Sequence, residues 1–216
     1  MARSGPGSPV QRTLAAAFAA SAHRGDQVDL LTAWLDGRQV PGGLAVDGEL
    51  RARVLFTLSA AGLARQADID ALPDLDQANG ARYRAICLAM RPDPETKEQA
   101  WTSVISGTVT GRLAEATAQG VWVAGQEQLM AGYRSRYFGE ALDALAGMSS
   151  WPQERLGRLL FPPTLCDPIT VAAAQAALAS QALPADLRDA IAEQTAIIRE
   201  VITARGRCEV PVTGSA

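Results

Sequence analysis

Apolar residues recur along most of this chain at intervals of three or four, the spacing that places them on one face of a helix. The clearest run follows Asp47, where Leu50, Val54 and Leu58 share a face and Gly62 comes shortly after them. Asp is favoured at helix N-caps and Gly just beyond helix ends. This order of cap, periodic run and glycine predicts a helix that begins after Asp47 and ends at Gly62.

The same punctuation repeats along the chain and predicts about ten or eleven helices of ordinary length. Ser8–Pro9, Asp93–Pro94 and Asp167–Pro168 are cap and first-turn pairs. The β-like segments are too short to form convincing strands. Because the loops are short, consecutive helices are expected to be antiparallel neighbours. The pattern therefore predicts an all-α fold built from antiparallel helix pairs.

Glycine and proline positions give finer predictions for the second half of the chain. The stretch 126–146 is predicted to be helical with a bend near Gly132 or Gly139, since glycine weakens a helix. Pro184 is predicted to open the longest helix and Gly206 to end it.

No linker divides the sequence, because the Pro-Pro break at 162–163 lies in a short loop. We therefore expect one α-helical domain at residues 8–207, with a disordered N-terminus at 1–7 and a frayed C-terminus at 208–216.

Composition and charge exclude several classes of protein. The formal net charge is −3, which argues against nucleic acid as the main partner, since phosphate binding normally needs a basic face. No apolar run approaches the ~20 residues that a membrane helix needs. Leu14–Ala22 could be a signal-peptide core, although an amphipathic helix start fits it better. The three cysteines, Cys87, Cys166 and Cys208, lack metal-site or disulfide spacing, so a cytoplasmic location is expected.

Candidate catalytic groups are few. His23 is the single histidine, whereas a His-Glu-x-x-His zinc site needs two. His23 could act as a general base, but the favoured interpretation is a residue at a helix C-terminus. Carboxylate pairs, including Asp68/Asp70, Asp74/Asp76 and Asp93/Glu95, lie at predicted helix starts and turns, where they are expected to cap amides and complement the helix dipole. Four tryptophans, Trp34, Trp101, Trp122 and Trp151, are expected to pack in the core.

Two tracts resemble a known family. Leu31–Trp101 runs through LDG, PG, VD and ELR to ADID, then NG and RPDPETKEQAW. Gly132–Leu142, GYRSRYFGEAL, matches a second family stretch, with Gly132 where proline is common. This order resembles the C-terminal helical domain of bacterial aminopeptidase N-like zinc metallopeptidases, which is also found at the end of the endoplasmic-reticulum aminopeptidases. The resemblance covers about Leu31 to Arg207, most of the chain.

The resemblance implies a curved stack of helix pairs, like a HEAT or armadillo α-solenoid. It also implies that the zinc chemistry lies in a separate upstream domain, absent from this sequence. No catalytic, cofactor-binding or metal residue is therefore expected in this chain. In that family the helical domain covers the peptide-binding cavity and shapes which substrates enter.

The residues that the resemblance suggests for peptide binding are Arg134, Arg136 and Tyr137. In related long-chain enzymes this domain offers basic groups to a peptide carboxylate, and a guanidinium fork suits that geometry. For either arginine, a solvated face paired with Glu140 is the competing interpretation. For Tyr137 the competing interpretation is a core aromatic that fills space between stacked helices.

The sequence thus predicts a non-catalytic, cavity-capping domain of an aminopeptidase N-like enzyme, present here without its catalytic domain. The alternative is a stand-alone helical-repeat scaffold that binds a protein or peptide partner. A third hypothesis is an enzyme of another kind that uses Cys166 or His23. The expected partner is a peptide or protein, and neither nucleic acid nor membrane. A separate catalytic domain and a second copy of the chain, docking on an exposed apolar patch, are the two protein partners considered.

Overall fold

The computed structural model describes residues 5–180 and 183–208, with side chains at all of these except 150, 151 and 208. Within these ranges the structure is all-α and contains no strand, which confirms the predicted fold class. The prediction for Trp151 and most of the predictions for the termini, 1–7 and 208–216, fall outside the described residues.

If residues 133–146, which include a π-helical turn, are taken as one continuous helix, the described part of the chain contains thirteen helices, ten of at least seven residues. The helices are α1 Pro9–Ser21, α2 Gly25–Leu35, α3 Gly48–Ala60, α4 Gln66–Asp70, α5 Leu72–Leu75, α6 Gly80–Met90, α7 Pro94–Ile105, α8 Gly111–Val121, α9 Glu127–Met130, α10 Tyr133–Arg136, the π-helical turn Tyr137–Ala141, α11 Leu142–Ala146, α12 Ser150–Leu160, α13 Pro168–Ala179 and α14 Ala185–Cys208.

The chain divides into two compact units, residues 1–101 and 102–216. Packed helix pairs are present within each unit, as the loop lengths predict. The single domain at 8–207 and the curved solenoid stay predictions.

In the first unit, α3 packs against α1, α2 and α6. The predicted apolar face is buried, with Leu50, Val54 and Leu58 at most 1 % exposed. Asp47 Oδ1 accepts the N–H of Leu50 at 3.0 Å, and Gly62 adopts a left-handed φ of +74°. The predicted cap and stop of this helix are therefore confirmed.

A close approach joins α5 and α6 in the same unit. A Cβ added to Gly80, the first residue of α6, would lie 2.1 Å from the carbonyl oxygen of Leu72 and 2.6 Å from Cα of Pro73. Both contacts are with backbone, so no side chain can move aside to make room. The packing of α5 on α6 therefore requires glycine at position 80.

In the second unit, α12 packs against both α8 and α14. Leu156, Leu160 and Phe161 are buried along it. Trp122 donates its indole N–H to the carbonyl oxygen of Leu160 at 2.8 Å, which ties the end of α8 to the end of α12. Core packing is confirmed for the three tryptophans whose side chains the structure describes, Trp34, Trp101 and Trp122.

The glycine predictions in this unit have different outcomes. Gly132 separates α9 from α10, so the helix predicted at 126–146 is interrupted there, whereas at Gly139 the helix continues through the π-helical turn. The predicted end at Gly206 is wrong, since α14 continues to Cys208. A glycine inside a helix costs only about 1 kcal/mol relative to Ala, and Arg205 and Arg207 complement the negative end of the helix dipole.

The capping prediction holds for Asp93 and for Asp76, and it fails for another pair. Asp93 accepts the N–H of Thr96 at 2.7 Å, as a cap does. Oδ1 of Asp76 accepts the backbone N–H groups of Ala78 and Asn79 at 3.0 Å.

Asp68 lies in the first turn of α4, where a carboxylate complements the helix dipole. The interpretation of Asp68 and Asp70 as caps of backbone amides is wrong, because their carboxylates bind arginines. Asp68 contacts Arg51 at 3.1 Å and Arg65 at 2.5 Å, and Asp70 contacts Arg84 at 2.8 Å.

We expect Gly80→Ala to lower the free energy of unfolding by about 2–4 kcal/mol, since the added methyl group must force α5 and α6 apart. Urea titration followed by circular dichroism measures this change. Gly132→Ala is the control, because Gly132 has right-handed helical backbone angles and nothing lies within 4 Å of the added Cβ. Equal stability of the two variants would contradict the proposed close approach.

Candidate functional site

The three residues predicted to bind peptide lie together in the second unit. Arg134 and Arg136 belong to α10, and Tyr137 begins the π-helical turn that follows. Residues two positions apart on a helix do not face each other, so the two guanidinium groups meet different neighbours. The environment of each residue determines what it could do.

Arg134 is mostly buried and is held by an acidic residue distant in sequence. Its Nη2 donates to Oδ2 of Asp167, and its side chain is 18 % exposed. The Nε–H is buried and has no hydrogen-bond partner among the described residues. The Arg134 guanidinium group therefore has one N–H donor that makes no hydrogen bond to the described residues.

Arg136 is held within its own helix. Its Nε donates to Oε1 of Glu140, one helical turn further on, as the competing interpretation predicts. Its guanidinium carbon also lies 4.9 Å from the centroid of the Tyr133 ring, within the range of a cation–π contact. These two contacts fix the direction of the side chain along the surface of α10.

Tyr137 is fully buried, and its hydroxyl donates to the carbonyl oxygen of Gly157 on α12 at 2.8 Å. Its ring packs edge-on against Phe138 and Phe161, with centroids 5.0 and 5.4 Å away. Burial raises the pKa of the hydroxyl well above its ordinary value of 10.0. The core-aromatic interpretation is confirmed, and direct contact of Tyr137 with peptide stays a prediction.

Asp167 is the site residue that sequence reasoning missed. It was predicted only as the N-cap of α13, a role it fills by accepting the N–H of Thr170 at 2.8 Å through Oδ1. Its second bond, to Arg134, joins residues 33 positions apart. No local pattern signals a contact across that separation.

The comparison with known proteins covers nearly the whole chain. Residues 5–200 match the family model described as the ERAP1-like C-terminal domain. This chain belongs to that family.

A relative of this ERAP1-like C-terminal domain is "Aminopeptidase N" of Streptomyces lividans. The two are 35 % identical over 201 residues, a match that covers 92 % of this chain and 24 % of the relative. The chain thus spans about a quarter of the length of the curated relative it matches. The resemblance found in the sequence is confirmed.

The groups considered for independent catalysis, His23 and Cys166, belong to different units of this ERAP1-like domain. His23 lies exposed in the loop after α1, with Nδ1 2.9 Å from the carbonyl oxygen of Ser21. Cys166 is half-buried and donates its S–H to the carbonyl oxygen of Pro163 at 3.1 Å. Burial raises the pKa of the Cys87 thiol to about 12. Over the described ranges, no three His, Cys, Asp or Glu side chains form a cluster that could hold a metal ion.

The sequence contains a single lysine, and the structure buries it completely. Lys97 lies in the first turns of α7 and donates to the carbonyl oxygen of Ala89 at 2.7 Å. Ala89 is in the last turn of α6, where carbonyl groups lack partners within the helix. Burial lowers the pKa of Lys97 from its ordinary value of 10.5 to about 8.

No described helix is long and apolar enough to cross a membrane.

We expect Lys97 to make stability depend on pH between 8 and 10.5. In this window Lys97 holds a proton in the unfolded chain that it has released in the folded chain. The contribution of Lys97 to the free energy of unfolding therefore rises with pH. Relative to Lys97→Met, the wild type should gain on the order of 3 kcal/mol across the window.

Urea titrations of the two proteins at several pH values measure this difference. The Cys87 thiol acts in the opposite direction, because its pKa is raised in the folded state and its stabilisation is lost between about pH 9 and 12. Cys87 is present in both proteins, so its contribution cancels in the difference. A difference that stays constant with pH would show that Lys97 keeps its ordinary pKa in the folded protein.

Proposed function

We propose that this chain is the cavity-capping domain of an aminopeptidase N-like enzyme, which binds part of the peptide substrate and leaves the chemistry to other residues. The observation that carries the proposal is the 35 % identity to an aminopeptidase N over 92 % of this chain but 24 % of the relative. The matched part of the sequence has one histidine, whereas the zinc motif of such enzymes requires two on one helix.

The arrangement of charges supports binding of the C-terminal carboxylate of a peptide. Arg134 and Arg136 provide two permanently charged guanidinium groups within one turn of helix. A guanidinium group binds a carboxylate through two parallel N–H bonds, which fixes orientation as well as adding energy. In this proposal, Tyr137 holds the π-helical turn against α12 through Gly157 and so positions the two arginines.

Two exposed apolar residues on one side of α1 support docking on another protein surface. Val10 and Leu14 are four residues apart on α1, on the same side of the helix, and are 58 % and 59 % exposed. Large apolar side chains exposed together on one helix face favour burial against a partner. The proposed partner is the remainder of an aminopeptidase N-like enzyme, and the stand-alone scaffold has no separate observation in its favour.

The first test is binding of an alanine-rich peptide with a free C-terminus, compared with the same peptide carrying a C-terminal amide. Replacing both arginines, Arg134→Ala with Arg136→Ala, should weaken binding of the acid by at least about tenfold, since a hydrogen bond to a charged group contributes about 1.5–3 kcal/mol. Binding of the amide should not change. Isothermal titration calorimetry measures both affinities.

A matched control removes two arginines from elsewhere in the second unit. Arg155 on α12 and Arg199 on α14 are suitable, and Arg155→Ala with Arg199→Ala changes the net charge by the same amount. Equal weakening by the control pair would show that net charge, and not a site at α10, attracts the peptide. Affinity for the acid that is unaffected by loss of Arg134 and Arg136 would remove them from the proposed site.

The second test is the activity of the purified chain itself. We expect no release of chromophore from an aminoacyl-p-nitroanilide by zinc-loaded protein, because the chain has one histidine and cannot provide the histidine pair of the family's zinc motif. A recombinant aminopeptidase N serves as the positive control. Zinc-dependent release by this chain alone would refute a purely binding role.

A further inference from the structure

The two oxygens of the Asp167 carboxylate have separate partners. Oδ1 accepts the backbone N–H of Thr170 at 2.8 Å and so caps α13. Oδ2 accepts from Nη2 of Arg134. One carboxylate therefore serves both a helix terminus and a guanidinium group.

This division leaves the arginine incompletely bonded. Because Oδ1 is committed to the cap, Asp167 cannot turn both oxygens toward Arg134 in the paired arrangement that guanidinium groups favour. The Nε–H of Arg134 is buried with no partner in the described part of the chain. A buried donor without an acceptor has an uncompensated desolvation cost, which makes the ion pair of Arg134 with Asp167 less stable. A carboxylate with two free oxygens would satisfy the fork better than Asp167 does.

We infer that Asp167 is an internal competitor that occupies Arg134 until the C-terminal carboxylate of a peptide replaces it. The inference rests on the proposed function and adds the residue that limits affinity and specificity at that site. When Arg134 turns outward to the peptide, Asp167 keeps its cap bond, and its charge stays stabilised at the positive end of the α13 dipole. An amidated peptide lacks the charge needed to displace Asp167.

The exposure of the pair is compatible with exchange. The Asp167 side chain is 37 % exposed, so solvent and ligand reach the carboxylate end of the pair. Arg134 is the less exposed partner and must rotate toward the ligand. Arg136 differs because its acidic partner, Glu140, lies on the same helical segment and is not a helix cap.

The experiment uses Asp167→Asn in the full chain. Asn is as effective an N-cap as Asp, so the substitution keeps the bond to Thr170 and removes the charge that holds Arg134. Titration calorimetry with the alanine-rich peptide acid should show roughly fivefold tighter binding, the scale of a lost partly exposed ion pair. Affinity for the peptide amide should not change, and thermal melts should show that the fold is kept.

Two further variants separate competition from other effects. Asp143→Asn removes one negative charge from an exposed position on α11 and leaves the Arg134–Asp167 pair intact, so it should not change affinity for the acid. Added to Arg134→Ala, Asp167→Asn should no longer tighten binding, since the competed group is gone. Equal tightening by Asp143→Asn, or tightening that persists without Arg134, would overturn the inference.

The outcomes also separate this inference from the proposed function. If the acid binds the wild type and weakens with Arg134→Ala, but Asp167→Asn has no effect, competition by Asp167 is refuted and the peptide site stands. If the acid binds neither the wild type nor Asp167→Asn, both are refuted. Binding detected only with Asp167→Asn would support both.

Discussion

Close packing of Gly157 on α12 against two neighbouring elements is the constraint on which the position of the candidate site rests. The carbonyl oxygen of Gly157 accepts the buried hydroxyl of Tyr137, which fixes the π-helical turn against α12. Its missing side chain gives space to α14, because an added Cβ would lie 2.7 Å from Cδ2 of Leu187. Gly157 thus contacts two neighbouring elements, the π-helical turn and α14. The π-helical turn directly follows α10, which carries both candidate arginines.

Local signals predicted local structure well. The caps at Asp47 and Asp167 and the stop at Gly62 were visible in the sequence because each depends on neighbours three or four residues away. The stop at Gly206 failed since a glycine can remain in a helix when the rest of the segment favours it.

The candidate site was predictable only in part. The sequence and its family resemblance pointed to Arg134 and Arg136, and the partner at Glu140 followed from helical spacing. The role of Asp167 beyond its cap could not be predicted, because tertiary packing brings it to Arg134 across 33 positions. The same limit applies to Asp68, whose position at a helix start suggested a cap whereas folding placed it beside Arg51.

Because Lys97 is buried, its chemical modification would report on internal motion of the protein. Acylating reagents react with uncharged amines that solvent can reach, and the side chain of the sole lysine is enclosed in the folded protein. Modification at this position would require transient opening of the structure around it. Under conditions where reclosing outpaces the reaction, the labelling rate would measure the population of open molecules, a quantity normally obtained from amide hydrogen exchange.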